Sequence, residues 1–141
     1  MEIGEGPGRF REFEKEVVQM ELMTKEIEKK LAKYPLYSQD GLGGEARVVV
    51  KYFGGSATTW LITEGEKQKD GDWLFFGFIT LGIRDPSDSS KLLWEWGYVR
   101  LSELEDVRFP PFGLPAERDL YLDPHAKVCD EVFMCSQYGS D

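Results

Sequence analysis

Hydrophobic positions change their period along this chain, and the changes divide it into elements. Phe10, Phe13, Val17, Met20, Thr24, Ile27 and Leu31 recur at alternating steps of three and four, which places them on one stripe of a helix. Glu21 with Lys25, and Glu26 with Lys30, stand four apart with the acid first, an orientation worth about 0.2–0.5 kcal/mol per pair. Lys29, Lys30 and Lys33 suit the negative end of the helix dipole, and Pro35 restricts Tyr34 and stops the element. The stripe predicts a long N-terminal helix over residues 9–33, packed on a sheet or offered to a partner, with a homodimer through Phe10 to Leu31 as one form. The one-signed flanking positions Glu14, Glu16, Glu21 and Glu28 disfavour a parallel coiled coil. Ahead of the helix, Gly4, Gly6, Pro7 and Gly8 read as a flexible leader over residues 1–8.

After glycines at positions 41, 43 and 44 the period becomes that of strands. Ala46 to Phe53 is β-branched and aromatic, Gly54-Gly55-Ser56 turns the chain, and Thr58 to Glu64 returns as the second arm of a hairpin. A polar loop from Gly65 to Asp72 leads to a third, most apolar strand, Trp73 to Ile83. Asp85 to Ser90 has loop composition, and Lys91 to Leu101 forms a fourth strand with Trp94, Trp96 and Tyr98 at period two on one face. Ser102 and Glu105 have the spacing of a capping box, so a short helical turn follows, and Pro110, Pro111 and Pro115 prevent its extension. Arg118 to Leu122 is a last short strand, and Asp123-Pro124 opens a short C-terminal helix with Val128, Val132 and Cys135 inward. The expected fold is α+β: an antiparallel meander sheet of about five strands with a long N-terminal helix across one face, all within a single domain over residues 9–141.

Composition fits this. The 141 residues are 41% apolar and 13% aromatic, enough to build one core without staples. The net charge of −9 lies in the body: residues 1–33 hold 8 acids against 7 bases, and residues 34–141 hold 18 against 10. That balance disfavours direct nucleic-acid binding, which draws affinity from clustered Lys and Arg. A single-strand platform on the aromatic face is disfavoured likewise, because such platforms sit in positive grooves. No apolar run reaches the roughly 18–20 residues of a membrane span, and no signal sequence is visible, so the expected location is the cytoplasm. Cys129 and Cys135 are too few for a disulfide framework and fit reduced thiols, although a bridge between them would close a short loop.

Candidate chemistry is sparse. His125 is the only histidine and has no neighbouring nucleophile motif. With Cys129 and Cys135, and Asp123 or Asp130 as a fourth ligand, it is a weak metal candidate whose spacing matches no common zinc signature. No cofactor is implied, since the glycine turns lack the Lys-Ser or Lys-Thr of a phosphate-gripping loop. Glu64, Asp72, Glu95, Glu117 and Asp119 are the notable carboxylates, and two of them within about 5–10 Å of one another would make an acid–base pair. Glu117-Arg118-Asp119 is the sharpest polar cluster, because the Arg fork holds a carboxylate bidentately, either within the fold or on a ligand. Trp60, Trp94, Trp96 and Tyr98 are either core or an aromatic platform for a ligand or partner.

Several blocks together resemble one family. These are Tyr34-Pro35-Leu36-Tyr37-Ser38, Thr59-Trp60 with Glu64, Leu74-Phe75-Phe76-Gly77, Gly97-Tyr98 leading to Leu101-Ser102-Glu103-Leu104-Glu105, and Gly113 to Tyr121. Over residues 22–123 the chain is similar to the domain-of-unknown-function family twenty-nine fifty-eight. The resemblance implies no activity but does imply a setting on conjugative plasmids, prophages and other mobile elements, near anti-restriction and conjugation genes. Such proteins typically begin near Met20 to Thr24, so the residues before are either an elaboration or precede an internal start.

The expected function is therefore binding rather than turnover. An acidic, aromatic-bearing face would engage a protein partner with a basic surface, such as a host nucleic-acid-handling or defence protein, and inhibit or modulate it. The alternative is a small enzyme with an acid–base pair drawn from Glu64, Asp72, Glu95 and Glu117 in a pocket shaped by Trp60 and Tyr98.

Overall fold

A computed structural model of the chain describes residues 20–139. The first helix, α1, is Lys25–Leu31. A single 3₁₀ turn at Gly43–Glu45 leads to strands β1 (Val50–Gly54), β2 (Thr58–Lys67) and β3 (Trp73–Thr80). A small hairpin of β4 (Arg84–Asp85) and β5 (Asp88–Leu92) precedes β6 (Glu95–Arg100) and the helix α2 (Leu101–Asp106). Two-residue strands β7 (Arg108–Phe109), β8 (Leu114–Pro115) and β9 (Glu117–Arg118) follow, and α3 (Val128–Gly139) ends the described chain.

The expected α+β class and antiparallel five-stranded sheet are present, in the order β6-β3-β2-β1-β9. Strands β1, β2, β3 and β6 form the meander, and β9 closes the far edge by pairing with Tyr52 and Phe53. Both faces are packed. On one, α1 lays Ile27 and Leu31 over Val50, Tyr52, Trp60, Ile62 and Phe75, joined by Leu104. On the other, Ala46, Val48, Ala126 and Val128 pack on Leu61, with Phe78 and Trp94 at the margin. Tyr52, Leu61, Ile62 and Phe75 are wholly enclosed, each worth about 1.5–3 kcal/mol in removed apolar surface.

The long helix over residues 9–33 is not what forms. Within the described residues the helix begins only after Thr24, whose backbone is extended and whose hydroxyl accepts from Ile27 N. Thr24 is thus an N-cap, satisfying a donor the first turn leaves free, and residues 20–23, outside any helix, lie against the sheet, where the Tyr52 hydroxyl donates to Leu22 O and Arg118 N to Met20 Sδ. Glu21 therefore cannot pair with Lys25 along a helix. The stripe positions Phe10, Phe13 and Val17, and the expected leader, lie outside the described residues.

Other boundaries shift for similar reasons. Ala46 to Val49 is not strand: Val48 N donates to Ala126 O and Val128 N to Ala46 O, so this stretch is tied to the C-terminal segment. The expected fourth strand divides, its first half pairing back on Arg84–Asp85 as β4–β5. The short helix α2 starts one residue before Ser102: Glu103 Oε1 accepts from Arg100 N, and the Ser102 hydroxyl is used elsewhere. The last strand shrinks to Glu117–Arg118, and α3 starts at Val128 rather than at Asp123-Pro124. Val128 is inward as expected, whereas the Cys135 side chain falls outside the described part of the chain. Among the described residues no helix is long and apolar enough to cross a membrane.

Close strand contact depends on Gly77. A Cβ built there overlaps the Leu61 carbonyl oxygen of β2, whereas one built on its cross-strand neighbour Gly97 meets only Ile79 Cδ1 at 3.9 Å. Gly77→Ala is expected to lower unfolding free energy by about 1–3 kcal/mol, the usual range for overpacking. Gly97→Ala should stay within about 0.5 kcal/mol of the parent, and urea denaturation of the two variants side by side checks the difference.

Candidate functional site

Among the described residues the carboxylate that stands apart is Glu64, 2% exposed in the middle of the sheet. Its position follows from a bulge. Ile62 pairs with Gly77 while Glu64 pairs with Phe76, so Thr63 is one residue more than β3 can match. Simple alternation from Ile62 would send Glu64 to the face covered by α1; the extra residue turns it onto the opposite face, beside Phe76.

That face is aromatic. Phe76 stacks on Trp96 with ring centroids 5.5 Å apart and meets Tyr98 at 4.9 Å. Phe78 stacks on Trp94 at 5.3 Å and meets Trp96 at 4.7 Å. The expected period-two face of Trp94, Trp96 and Tyr98 is thus real, and it reaches solvent at one end, where Trp96 is 40% and Tyr98 51% exposed.

The loop after α1 closes the other side. Glu64 Oε1 accepts from Tyr37 N at 2.7 Å and Oε2 from Gln39 N at 2.9 Å. Gln39 is itself buried: its amide nitrogen donates to Thr63 O and Arg47 O, and its amide oxygen accepts from Arg47 N. Leu36 N donates to Glu66, and Gly65 N to Tyr34 O. Five backbone or side-chain bonds from residues 34–39 to β2 so hold the loop, with a carboxylate at the centre of the array. The three that end on the Glu64 and Glu66 carboxylates are charge-assisted, a kind worth about 1.5–3 kcal/mol each. Tyr37 adopts φ 73°, the left-handed region, without being glycine, at a cost of about 1–2 kcal/mol.

Between loop and sheet lies a concavity of about 330 Å³ lined by Gln39, Asp40, Gly41, Gly43, Thr63, Glu64, Phe76 and Trp96. Its lining has two carboxylates and no cationic residue. At its rim the Tyr98 hydroxyl is hydrogen-bonded to that of Tyr37. This bond first, then partial burial and the negative charges of Glu64 and Asp40, holds the Tyr98 phenol above its ordinary pKa of 10.0. Tyr37, Gln39, Asp40 and Phe76 were not among the residues singled out from sequence. The signal for Tyr37 and Phe76 was that the Tyr34–Ser38 and Leu74–Gly77 blocks carry the family resemblance together with Glu64 and Gly97-Tyr98; Gln39 and Asp40 lie outside those blocks and had none.

The structure brings Glu64, Trp96 and Tyr98 together and disperses the other candidates. Trp60 is buried on the opposite face, against Phe109. Glu95 is exposed and alternates to the other side of β6 from Trp96. Glu117, Arg118 and Asp119 sit on the far edge of the sheet, where Asp119 accepts from Tyr121 N and ion-pairs with Lys51 at 3.8 Å. Asp123 accepts from His125 N, and the Cys129 thiol lies 3.9 Å from the Glu45 and Asp130 carboxylates. Among the described residues no group of three His, Cys, Asp or Glu side chains is arranged to hold a metal ion.

Asp72 has a structural task. Its Oδ1 accepts from Trp73 N and Ser102 N, and its Oδ2 from the Ser102 hydroxyl at 2.7 Å, so it caps α2 from outside the helix. The Ser102 hydroxyl bond is the main cause of an Asp72 pKa below the ordinary 3.8. A carboxyl with a depressed folded-state pKa contributes stability above its unfolded value and loses it as pH falls through the folded one. Asp72→Asn is therefore expected to lower unfolding free energy by about 1 kcal/mol at neutral pH. The difference from the parent should shrink below about pH 4, as urea titrations across that range would report.

Comparison with curated proteins and with solved structures finds no match. The family profile described as "Protein of unknown function (DUF2958)" matches residues 22–140, which span the whole sheet, the aromatic face and the Glu64 cavity. The chain belongs to the DUF2958 family.

Proposed function

We propose that this chain is a binding protein that captures a basic protein partner by seating one of the partner's lysine or arginine side chains against Glu64. The observation that carries the reading is the Glu64 cavity: a buried, backbone-oriented carboxylate with a second acid, Asp40, no cationic lining residue, and Phe76 and Trp96 as its walls. A carboxylate fixed by two N–H donors keeps lone pairs for further donors. Aromatic faces beside it attract a cation, by about 0.5–2 kcal/mol depending on desolvation. The exposed Trp96, Tyr98 and Tyr37 around the mouth supply rigid contact area of the kind that concentrates interface energy, and the net charge of −9 would steer a basic surface toward it.

In the cell, such a protein would serve a mobile genetic element by occupying a host nucleic-acid-handling or defence protein whose basic groove is built for phosphate. The enzymatic alternative has less support, because Trp60 of its expected pocket is buried on the opposite face, and none of the carboxylates expected to pair with Glu64 lines its cavity, where the second acid is Asp40. Asp72, Glu95 and Glu117 each lie elsewhere, Asp72 as a helix cap and Glu117 across the sheet.

Hexa-arginine and hexa-lysine peptides titrated at low salt, with tryptophan fluorescence as readout, test the reading. Saturable binding is expected, weakened at least about tenfold, or 1.4 kcal/mol, by Trp96→Ala and by Glu64→Gln. Trp96 is exposed, so its truncation should leave the fold intact. Binding that both variants leave unchanged would reflect net charge alone and overturn the proposal, as would no saturation by about 1 mM peptide. Tyr37→Gly separates strain from function: its thermal midpoint should not fall, because glycine accepts φ 73°, while its affinity for the peptides should.

A further inference from the structure

We propose a second binding site, for a phosphate group either free or borne by a small molecule, in the cleft between α1, the segment Arg47–Val50 and the loop that follows β9. This cleft, of about 280 Å³, shares no lining residue with the Glu64 cavity, and the proposal is independent of the reading of Glu64. Four cationic side chains from three separate parts of the chain line it: Lys30 and Lys33 from α1 and its C-terminal turn, Arg47, and Arg118. In a chain with 17 bases against 26 acids, such convergence goes against the overall balance.

The two arginines are half-buried and held in place. Arg47 spends one terminal nitrogen on His125 O at 2.9 Å, and Arg118 spends Nε on Glu21 O at 3.2 Å. Anchored this way, each guanidinium loses less freedom on binding, and each keeps its remaining donors for an oxyanion. None of the four cations is in an ion pair among the described residues. The lining also includes Glu26, Asp119 and Asp123. Of these, Asp119 is ion-paired with Lys51, whereas Glu26 and Asp123 keep their charge, Asp123 while accepting from His125 N, so four cations face two carboxylates that no other cation among the described residues holds. Two guanidinium forks flanked by two ammonium groups match a dianion with three acceptor oxygens better than a single carboxylate. The Glu117-Arg118-Asp119 cluster thereby divides: Asp119 serves the fold, and Arg118 serves the cleft.

Inorganic phosphate and adenosine 5′-monophosphate, titrated into the full chain with citrate as the carboxylate control, test this by calorimetry and by the arginine side-chain N–H resonances. Saturable phosphate binding is expected, with shifts confined to the Arg47 and Arg118 side chains. Arg118→Gln and the exposed double variant Lys30→Gln/Lys33→Gln should each weaken it at least tenfold, while Lys67→Gln on β2 leaves it unchanged. Tighter binding of the monophosphate than of inorganic phosphate assigns the group to a small molecule, equal binding assigns it to free phosphate, and either supports the site. No saturation by either, equal affinity in the double variant, or citrate binding more tightly than both overturns it.

Discussion

At Thr63, strand β2 carries one residue more than β3 can pair, and the side of the sheet on which Glu64 emerges depends on that excess. With the extra residue, the carboxylate stands on the aromatic face and accepts two N–H groups from the loop at residues 37–39. Without it, Glu64 would point at the apolar face covered by α1, where a charge has no partner and would cost several kcal/mol to bury. The loop would then lose its anchor. Gln39 would lose the backbone placement that lets its side chain hold Arg47 and Thr63, and the segment before β1 would keep only its bonds to the C-terminal segment and to Ile62.

Under the proposed function Glu64 has two duties. Its two backbone bonds fix the loop, and its remaining lone pairs are what a cationic ligand would meet. The strain at Tyr37 fits the same account: a non-glycine residue is kept left-handed because the bond from its N–H to Glu64 outweighs the cost, and its ring is thereby placed at the rim beside Tyr98. The cavity walls are equally determined by the sheet. Cross-strand register puts Phe76 opposite Tyr98 and Phe78 opposite Trp96, so the rings interlock before any ligand arrives.

The two concavities differ in charge and in their distance from the aromatic face, yet they share a wall of hydrogen bonds. Gln39 lines the first and grips the backbone of Arg47, whose guanidinium enters the second. The first lining carries two carboxylates and no cation and the second four cations with three carboxylates, a local difference that the net charge of the chain conceals.

Period-two and period-three-to-four patterning determined the α+β class, the β1–β2 hairpin, the apolar third strand and the shared face of Trp94, Trp96 and Tyr98, because those depend on local side-chain alternation. The family, too, was legible, carried by short blocks such as Tyr34–Ser38 and Leu74–Gly77. Tertiary structure alone decided the rest. Thr24 starts the helix as a cap while Met20 and Leu22 are held by Arg118 N and the Tyr52 hydroxyl, and Ser102 leaves its expected box because its N–H and hydroxyl both donate to Asp72, thirty residues away. Trp60 and Glu95 were candidates alongside Trp96 in sequence, but pleating sends both to the opposite face of the sheet. Glu64 meets Tyr37 and Gln39 across more than twenty residues, and no local period records a bulge or a contact of that separation.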